Sequence, residues 1–278
     1  MSKQKSIAIL FTIFVFQLFP VKISAQFFAL PSEILDTANI SVSYTITWKQ
    51  DTNHLDKVRN EEMLLFVGKS LSLFMSENMY KVLLIGRKAE SEGRLTDLLK
   101  GEELNNYVSR FSYRIYKNYP KEQITYMEKV IPTYFQYSEP FGVFEWQLTD
   151  STTTIGDFKA NCAFTDYGGR RWVAWYTTEI PISDGPYKFR GLPGLIIRLY
   201  DDKKHYVFDM EKLERYDEGV PIELIDRDWV ETSRTDFLKA RENLKHDIVN
   251  RAQEAGVGVE GQQRAARNAS KKNNPIEF

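Results

Sequence analysis

The chain has 278 residues, 42% of them hydrophobic and 27% charged, with 37 Lys and Arg against 38 Asp and Glu. That length holds one large domain or two small ones and a core that needs no covalent staples. The balanced, mixed charge argues against a nucleic-acid partner, which calls for a basic stripe, and the single cysteine, Cys162, excludes an internal disulfide.

The first element is a leader. Lys3 and Lys5 precede an apolar run from Ile7 to Leu18, and Ile23-Ser24-Ala25 ends on a small residue. The run is short for a bilayer span, so the order basic, apolar, small predicts a signal peptide over residues 1–25 and a mature start at Gln26; an uncleaved anchor is the alternative. No Cys follows the cleavage site, which leaves no lipoprotein anchor, and no later stretch is long and apolar enough to span a membrane. Loss of Lys3, Lys5 and Lys22 leaves a mature net charge of about −4.

Beyond the leader, strand patterns dominate. Val42, Tyr44, Ile46 and Trp48 alternate with Ser41, Ser43, Thr45 and Thr47, a half-buried strand. Met63–Val67 and Leu71–Met75 read as two strands around a Gly68-Lys69 turn. Mixed charged and aliphatic residues over Glu77–Ala89 and Leu95–Tyr107 suggest short helices. Phe111–Lys117, Gln123–Ile131, Thr133–Tyr137 and Phe144–Thr149 read as further strands, and their succession without intervening helices predicts antiparallel pairing. A longer helix is predicted from Thr235 to Glu254, with Phe237, Leu244, Ile248 and Ala252 near one face, Ser233 and Asp236 as an imperfect capping box, and Gly256 as its stop. From Gly256 the chain is polar without a core pattern, and a mobile tail over 256–278 is expected up to its last few residues.

The densest segment is GGRRWVAWYTTEIPISDGPYKFRGLPGLIIRLYDD, residues 168–202. Trp172, Ala174 and Tyr176 share one strand face and Arg171, Val173 and Trp175 the other, the pattern of a strand covered on both sides or lining a cavity. Asp184-Gly185-Pro186 marks a turn. Gly191, Leu192, Pro193, Gly194, Leu195 and Ile196 lack the Lys and hydroxyl of a phosphate loop. They read as architecture: a type II turn at Leu192–Leu195 feeding a strand, with Tyr206–Met210 as that strand's partner. Asp201, Asp202, Lys203 and Lys204 read as a solvated tip between the two.

This block resembles the signature of the GLPGLI family, exported proteins found mainly in Bacteroidota and without an established activity. The resemblance extends to Trp146 and Leu148 before Ile155-Gly156, to Cys162, and to the final NNPIEF, with Phe278 standing where an aliphatic residue is common. It implies export and kinship and leaves the mechanism open.

Chemistry is sparse in the sequence. His54, His205 and His246 are widely separated, so no metal site is expected, and no cofactor. No Gly-x-Ser-x-Gly elbow is present, and the 38 acidic residues single out no catalytic pair. Cys162 reads as a packing residue, a reactive thiol being the alternative. Aromatic and basic residues do cluster: Arg170, Arg171, Trp175, Tyr187, Lys188 and Arg190 form a candidate surface for an acidic or carbonyl-rich partner, with Tyr187 exposed. The plainer reading of Trp172, Trp175, Tyr176, Tyr187 and Phe189 is core packing.

The expectation is therefore a mainly β (α+β) protein. It has a single large antiparallel sheet, curved or forming a partial barrel, with short helices and a C-terminal helix, in one domain over residues 26–255. The expected role is an exported binding or accessory protein of the cell envelope, in the periplasm, at the outer membrane or secreted, with a protein, peptide or glycan partner. A hydrolase with a carboxylate site, or a structural subunit of an outer-membrane assembly, are the alternatives.

Overall fold

A computed structural model describes residues 32–130, 132–254 and 256–278. The predicted signal peptide and the predicted start at Gln26 lie outside these residues. Twelve strands form one sheet: β1 (Ser32–Trp48), β2 (Arg59–Val67), β3 (Ser72–Ser76), β4 (Arg114–Lys117), β5 (Gln123–Val130), β6 (Thr133–Pro140), β7 (Gln147–Ile155), β8 (Phe158–Tyr167), β9 (Arg170–Thr177), β10 (Leu195–Asp201), β11 (Tyr206–Ile225) and β12 (Trp229–Glu231). Their order across the sheet is β12-β6-β5-β4-β3-β2-β1-β11-β10-β9-β8-β7. Every neighbouring pair is antiparallel except β12 with β6. The mainly β fold with one large sheet is thus as the sequence predicts, and the short parallel pair makes the sheet mixed.

The sheet is open, yet it curls until its two halves touch. β6 and β8 stand nine strand spacings apart in the order, roughly 43 Å if the sheet were flat. The Tyr167 hydroxyl at the end of β8 nevertheless donates to Glu139 Oε2 near the end of β6 at 2.7 Å. Strand twist and the irregular registers in β1–β11 at Ile34/Asp36, Ala38/Ile40 and Ser43/Tyr44 supply local bending.

The inside of the curl holds the main core. Val42, Tyr44, Ile46 and Trp48 from β1 point inward, as their alternation predicts, to meet Phe74, Ile115, Tyr126, Trp172, Leu199 and Phe208. Among the described residues no second sheet fills this space. The connection between β9 and β10, residues 178–194, runs through it with Tyr187, Phe189 and Leu192 nearly inaccessible. Phe237 and Ile276 join from the C-terminal part of the chain. β9 is therefore covered on one side: Trp172, Ala174 and Tyr176 are buried, while Val173 and Trp175 are only half-buried and Arg171 is exposed, which corrects the expectation of cover on both faces.

On the outer face α1 (Glu77–Ser91) lies over a smaller apolar cluster including Phe66, Leu73, Met75, Tyr116 and Met127. Ser76 caps α1 by accepting from the Met79 amide. α2 (Leu95–Lys100) and a 3₁₀ turn at Glu103–Tyr107 follow. The predicted helix over 235–254 is two helices, α3 (Arg234–His246) and α4 (Ile248–Glu254), interrupted at Asp247. Ser233 caps α3 by accepting from the Asp236 amide, as the imperfect box implies. The polar stretch read as a mobile tail contains α5 (Val259–Ser270), and Asn274, Ile276 and Glu277 beyond it are buried.

Candidate functional site

The β9–β10 connection and the C-terminal segment bring the signature residues together inside the curl. Lys188, with no exposed surface, has four oxygen partners: the hydroxyls of Tyr137 and Tyr167, each at 2.8 Å, and the carboxylates of Glu139 and Glu277, each at 2.7 Å. Tyr137 and Glu139 come from β6 and Tyr167 from β8, so one ammonium ties the two halves of the sheet to each other and to the C-terminal segment. A buried ammonium is tolerable only with such pairing and hydrogen bonding.

Glu277 is the second hub. It accepts from the Tyr187 hydroxyl and, at 2.6 Å, from Arg234 Nε at the start of α3. Burial acts to raise its pKa, but Lys188 and Arg234 prevail and hold the carboxyl below its ordinary value. Burial, reinforced by the Glu277 charge, pushes Tyr187 well above the usual phenol range, so its hydroxyl stays protonated and donates. The same burial raises Tyr137 and Tyr167.

Arg170 organises the neighbouring part. Its Nη1 donates to Asp201 at 2.8 Å, its Nε to the Ile276 carbonyl at 3.1 Å, and its Nη2 to Asn274 Oδ1 at 2.6 Å and to the Pro275 carbonyl. Asp201, expected in a solvated tip, is fully buried and also accepts from the Tyr206 amide at 2.7 Å. Tyr206 in turn donates to the Asn274 carbonyl at 2.6 Å. Asn274 donates from Nδ2 to the Lys49 carbonyl at 2.6 Å, and the Phe278 amide donates to the Gly168 carbonyl at 3.0 Å.

The connection has its own fastening at the other end. Lys117, buried at the end of β4, pairs with Asp184 and donates to the Gly185 carbonyl at 2.6 Å. Ser72 also donates to Asp184. Burial pulls the Lys117 ammonium below its ordinary pKa despite the opposing pull of Asp184.

Of the six residues proposed from sequence as a partner surface, Arg170, Tyr187 and Lys188 are buried, so the expected exposure of Tyr187 is corrected. All three bond to the chain's own segment 274–278, and Arg170 and Lys188 bond in addition to Asp201 and Glu139. Arg171, Trp175 and Arg190 lie apart from that network. Arg171 is exposed over the Phe164 ring, Trp175 Nε1 reaches the Tyr200 hydroxyl at 3.4 Å, and Arg190 covers the Phe141 ring.

The Leu192–Leu195 segment is also tighter than a type II turn. The Gly194 amide donates to the Leu192 carbonyl at 2.8 Å, and the Leu195 amide reaches away to the Ile180 carbonyl at 3.1 Å. Gly194 keeps the positive φ expected for it, at 151°. Glu139, Glu277, Arg234, Asp201 and Lys117 were not identified from sequence as network residues.

Among the described residues, two of the clefts that open to the outside are lined by residues other than this network's. The larger, about 370 Å³, is polar, with Trp48, Arg59, Glu61, Glu62, Asn78 and Arg110 among its walls. Glu61 is already held there by Ser76 and Ser109 and by the Arg110 amide at 2.8 Å. The smaller, about 130 Å³, is mostly apolar and lies on the outer face beside α1. Among the described residues no group of three or more His, Cys, Asp or Glu is placed to hold a metal ion, and no helix is long and apolar enough to cross a membrane. Cys162 is buried on β8 opposite Trp175.

The fold and its network define a mainly β protein with one open, curled sheet pinned from inside by buried ion pairs. A family described as "Protein of unknown function (Porph_ging)" matches residues 169–198, the stretch that carries β9, the Lys188 connection and the start of β10. No curated protein matches the chain. Among solved structures, those titled "Structure of PNGF-II in C2 space group" and "Structure of PNGF-II in P21 space group" each align at 11% identity with a TM-score of 0.48 and cover 73% of this chain. The chain spans about a third of their length, 32% and 33% respectively.

Proposed function

We propose that this chain is an exported binding protein of the cell envelope whose recognition surface lies on the outside of the curled sheet. One observation carries the reading. Arg170, Lys188 and Asp201 of the signature block are consumed in closing the sheet, while the apolar cleft beside α1 remains open with basic residues and no acid in its lining. Concave apolar sites with a few placed polar groups are the common form of a ligand site. The basic–apolar–small leader supports export.

The test is affinity capture from the native envelope with the wild type and with Arg114→Gln/Lys129→Gln, which removes two of the cleft's cations. An envelope component enriched by the wild type and lost with the variant is expected. Equal enrichment by both, or by neither, overturns the reading.

A further inference from the structure

Resting on that reading, we infer that the outer cleft binds a small carboxylate with an apolar body of about six carbons. Its shape follows from local sequence. Met79, Val82 and Leu83 are spaced to share one face of α1 and form one wall. Met127, Ile225 and Trp229 supply apolar surface on the sheet side. A volume of about 130 Å³ is close to that of an apolar cavity known to take benzene, about 150 Å³.

Charge selects the rest of the ligand. Arg114, Lys129 and Arg227 all line the cleft, and no Asp or Glu does. Arg114 and Lys129 have the same strand parity as Tyr116 and Met127, which lie in the outer-face cluster. Tyr134 fixes the other side of the rim: Lys129 Nζ stands 4.9 Å and the Arg227 guanidinium 4.5 Å from its ring centroid, and Arg227 donates to its hydroxyl at 2.9 Å. Trp229 packs edge-on against the same ring at 5.5 Å. Glu223, an acid further along β11, is engaged by Arg87 at 2.7 Å, although the Arg114 charge also acts on it. Three cations around an apolar hollow favour an anion whose body is apolar, with the carboxylate taking charge-assisted hydrogen bonds at the rim.

Hexanoate, its neutral isostere hexanamide, and hexylamine are the probes, titrated by ligand-observed NMR into the chain starting at Gln26. Saturable hexanoate binding is expected, with hexanamide weaker by roughly tenfold and hexylamine weaker still. Lys129→Gln and Arg114→Gln should each narrow the hexanoate preference at unchanged melting temperature, and Leu83→Asn should weaken both ligands alike. Equal binding of hexanoate and hexanamide, no saturation by either, or hexanoate binding unaffected in the Lys129→Gln/Arg114→Gln double variant would overturn the inference. Ser32 pairs with Ile225 at the cleft wall. Binding seen only after Phe27 and Phe28 are changed to serine would therefore overturn it in favour of the chain's own preceding residues as occupant. If envelope capture depends on the cleft while hexanoate is not preferred, the ligand class falls and the binding reading stands. The converse result separates them the other way.

Discussion

A Cβ added at Gly194 would lie 2.0 Å from the Thr177 carbonyl oxygen, and the residue's φ of 151° is one that side chains other than hydrogen rarely adopt. The obstacle is backbone, so no rotamer change relieves it. Gly194→Ala should cost about 2–4 kcal/mol, read as a lower urea midpoint at unchanged slope. A change below about 0.5 kcal/mol would mean that the loop adopts another path. Lys188→Met leaves Glu139 and Glu277 short of their shared ammonium and should cost about 3–5 kcal/mol in the same assay. The pH dependence has a defined sign. Glu277 titrates below its ordinary value of 4.5 in the fold, so its contribution is complete above that pH and is lost as pH falls through the lower folded value. Glu128, raised by burial, acts in the opposite sense, so the comparison that isolates Glu277 is the wild type against Glu277→Gln. The stability difference between them should shrink below pH 4.5, and a difference independent of pH down to 2 would contradict the assignment. The burial of Val42, Tyr44, Ile46 and Trp48 was legible because a period of two marks a face. The Lys188–Glu277 pair was not, since partners 89 positions apart share no local period.

At the scale of elements, β3, β5 and β6 sit close to where alternation and turn residues place them, while of β1 and β2 only the C-terminal halves were read, and both strands begin earlier, at Ser32 and Arg59. The misses have local causes. β8, PheLysAlaAsnCysAlaPheThrAspTyr over 158–167, mixes small, polar and aromatic residues and carries a weak strand signal. β11 runs for 20 residues, and beyond Met210 its exposed half is as charged as a loop. The segment 274–278 has no secondary structure of its own. It is held by side chains from β9, β11 and α3, which no propensity anticipates. Arg170→Lys tests that clasp. One ammonium cannot serve Asp201, Asn274 and two carbonyls in the fork geometry of a guanidinium, so a loss of about 2–4 kcal/mol is expected. The amides of Asn274 and Phe278, which donate to the Gln50 and Gly168 carbonyls, should also exchange faster with solvent in this variant while those of β1 and β2 keep their protection. Uniform loss of protection would argue against a local clasp.

For the whole molecule, the sequence supports one large β domain, and its open curl follows from a fact that composition cannot carry: the filling is a connection and a chain segment instead of a second sheet. Side chains outside the closing network are correspondingly tolerant. Arg171 and Arg190 stack on Phe164 and Phe141 outside the buried network, so Arg171→Gln/Arg190→Gln should lower stability by no more than about 1–2 kcal/mol, measured by thermal melting. A loss comparable to Lys188→Met would place these arginines within the closing network.

The pairing of residues 32–48 with 206–225, together with the arrival of 274–278 in the same interior, sets the tempo of folding. The entropy of closing such long loops is lost before the distant contacts repay it, which makes refolding slow, in the range of roughly milliseconds to seconds. The interior therefore closes only once residues 274–278 have joined β1, β9 and β11.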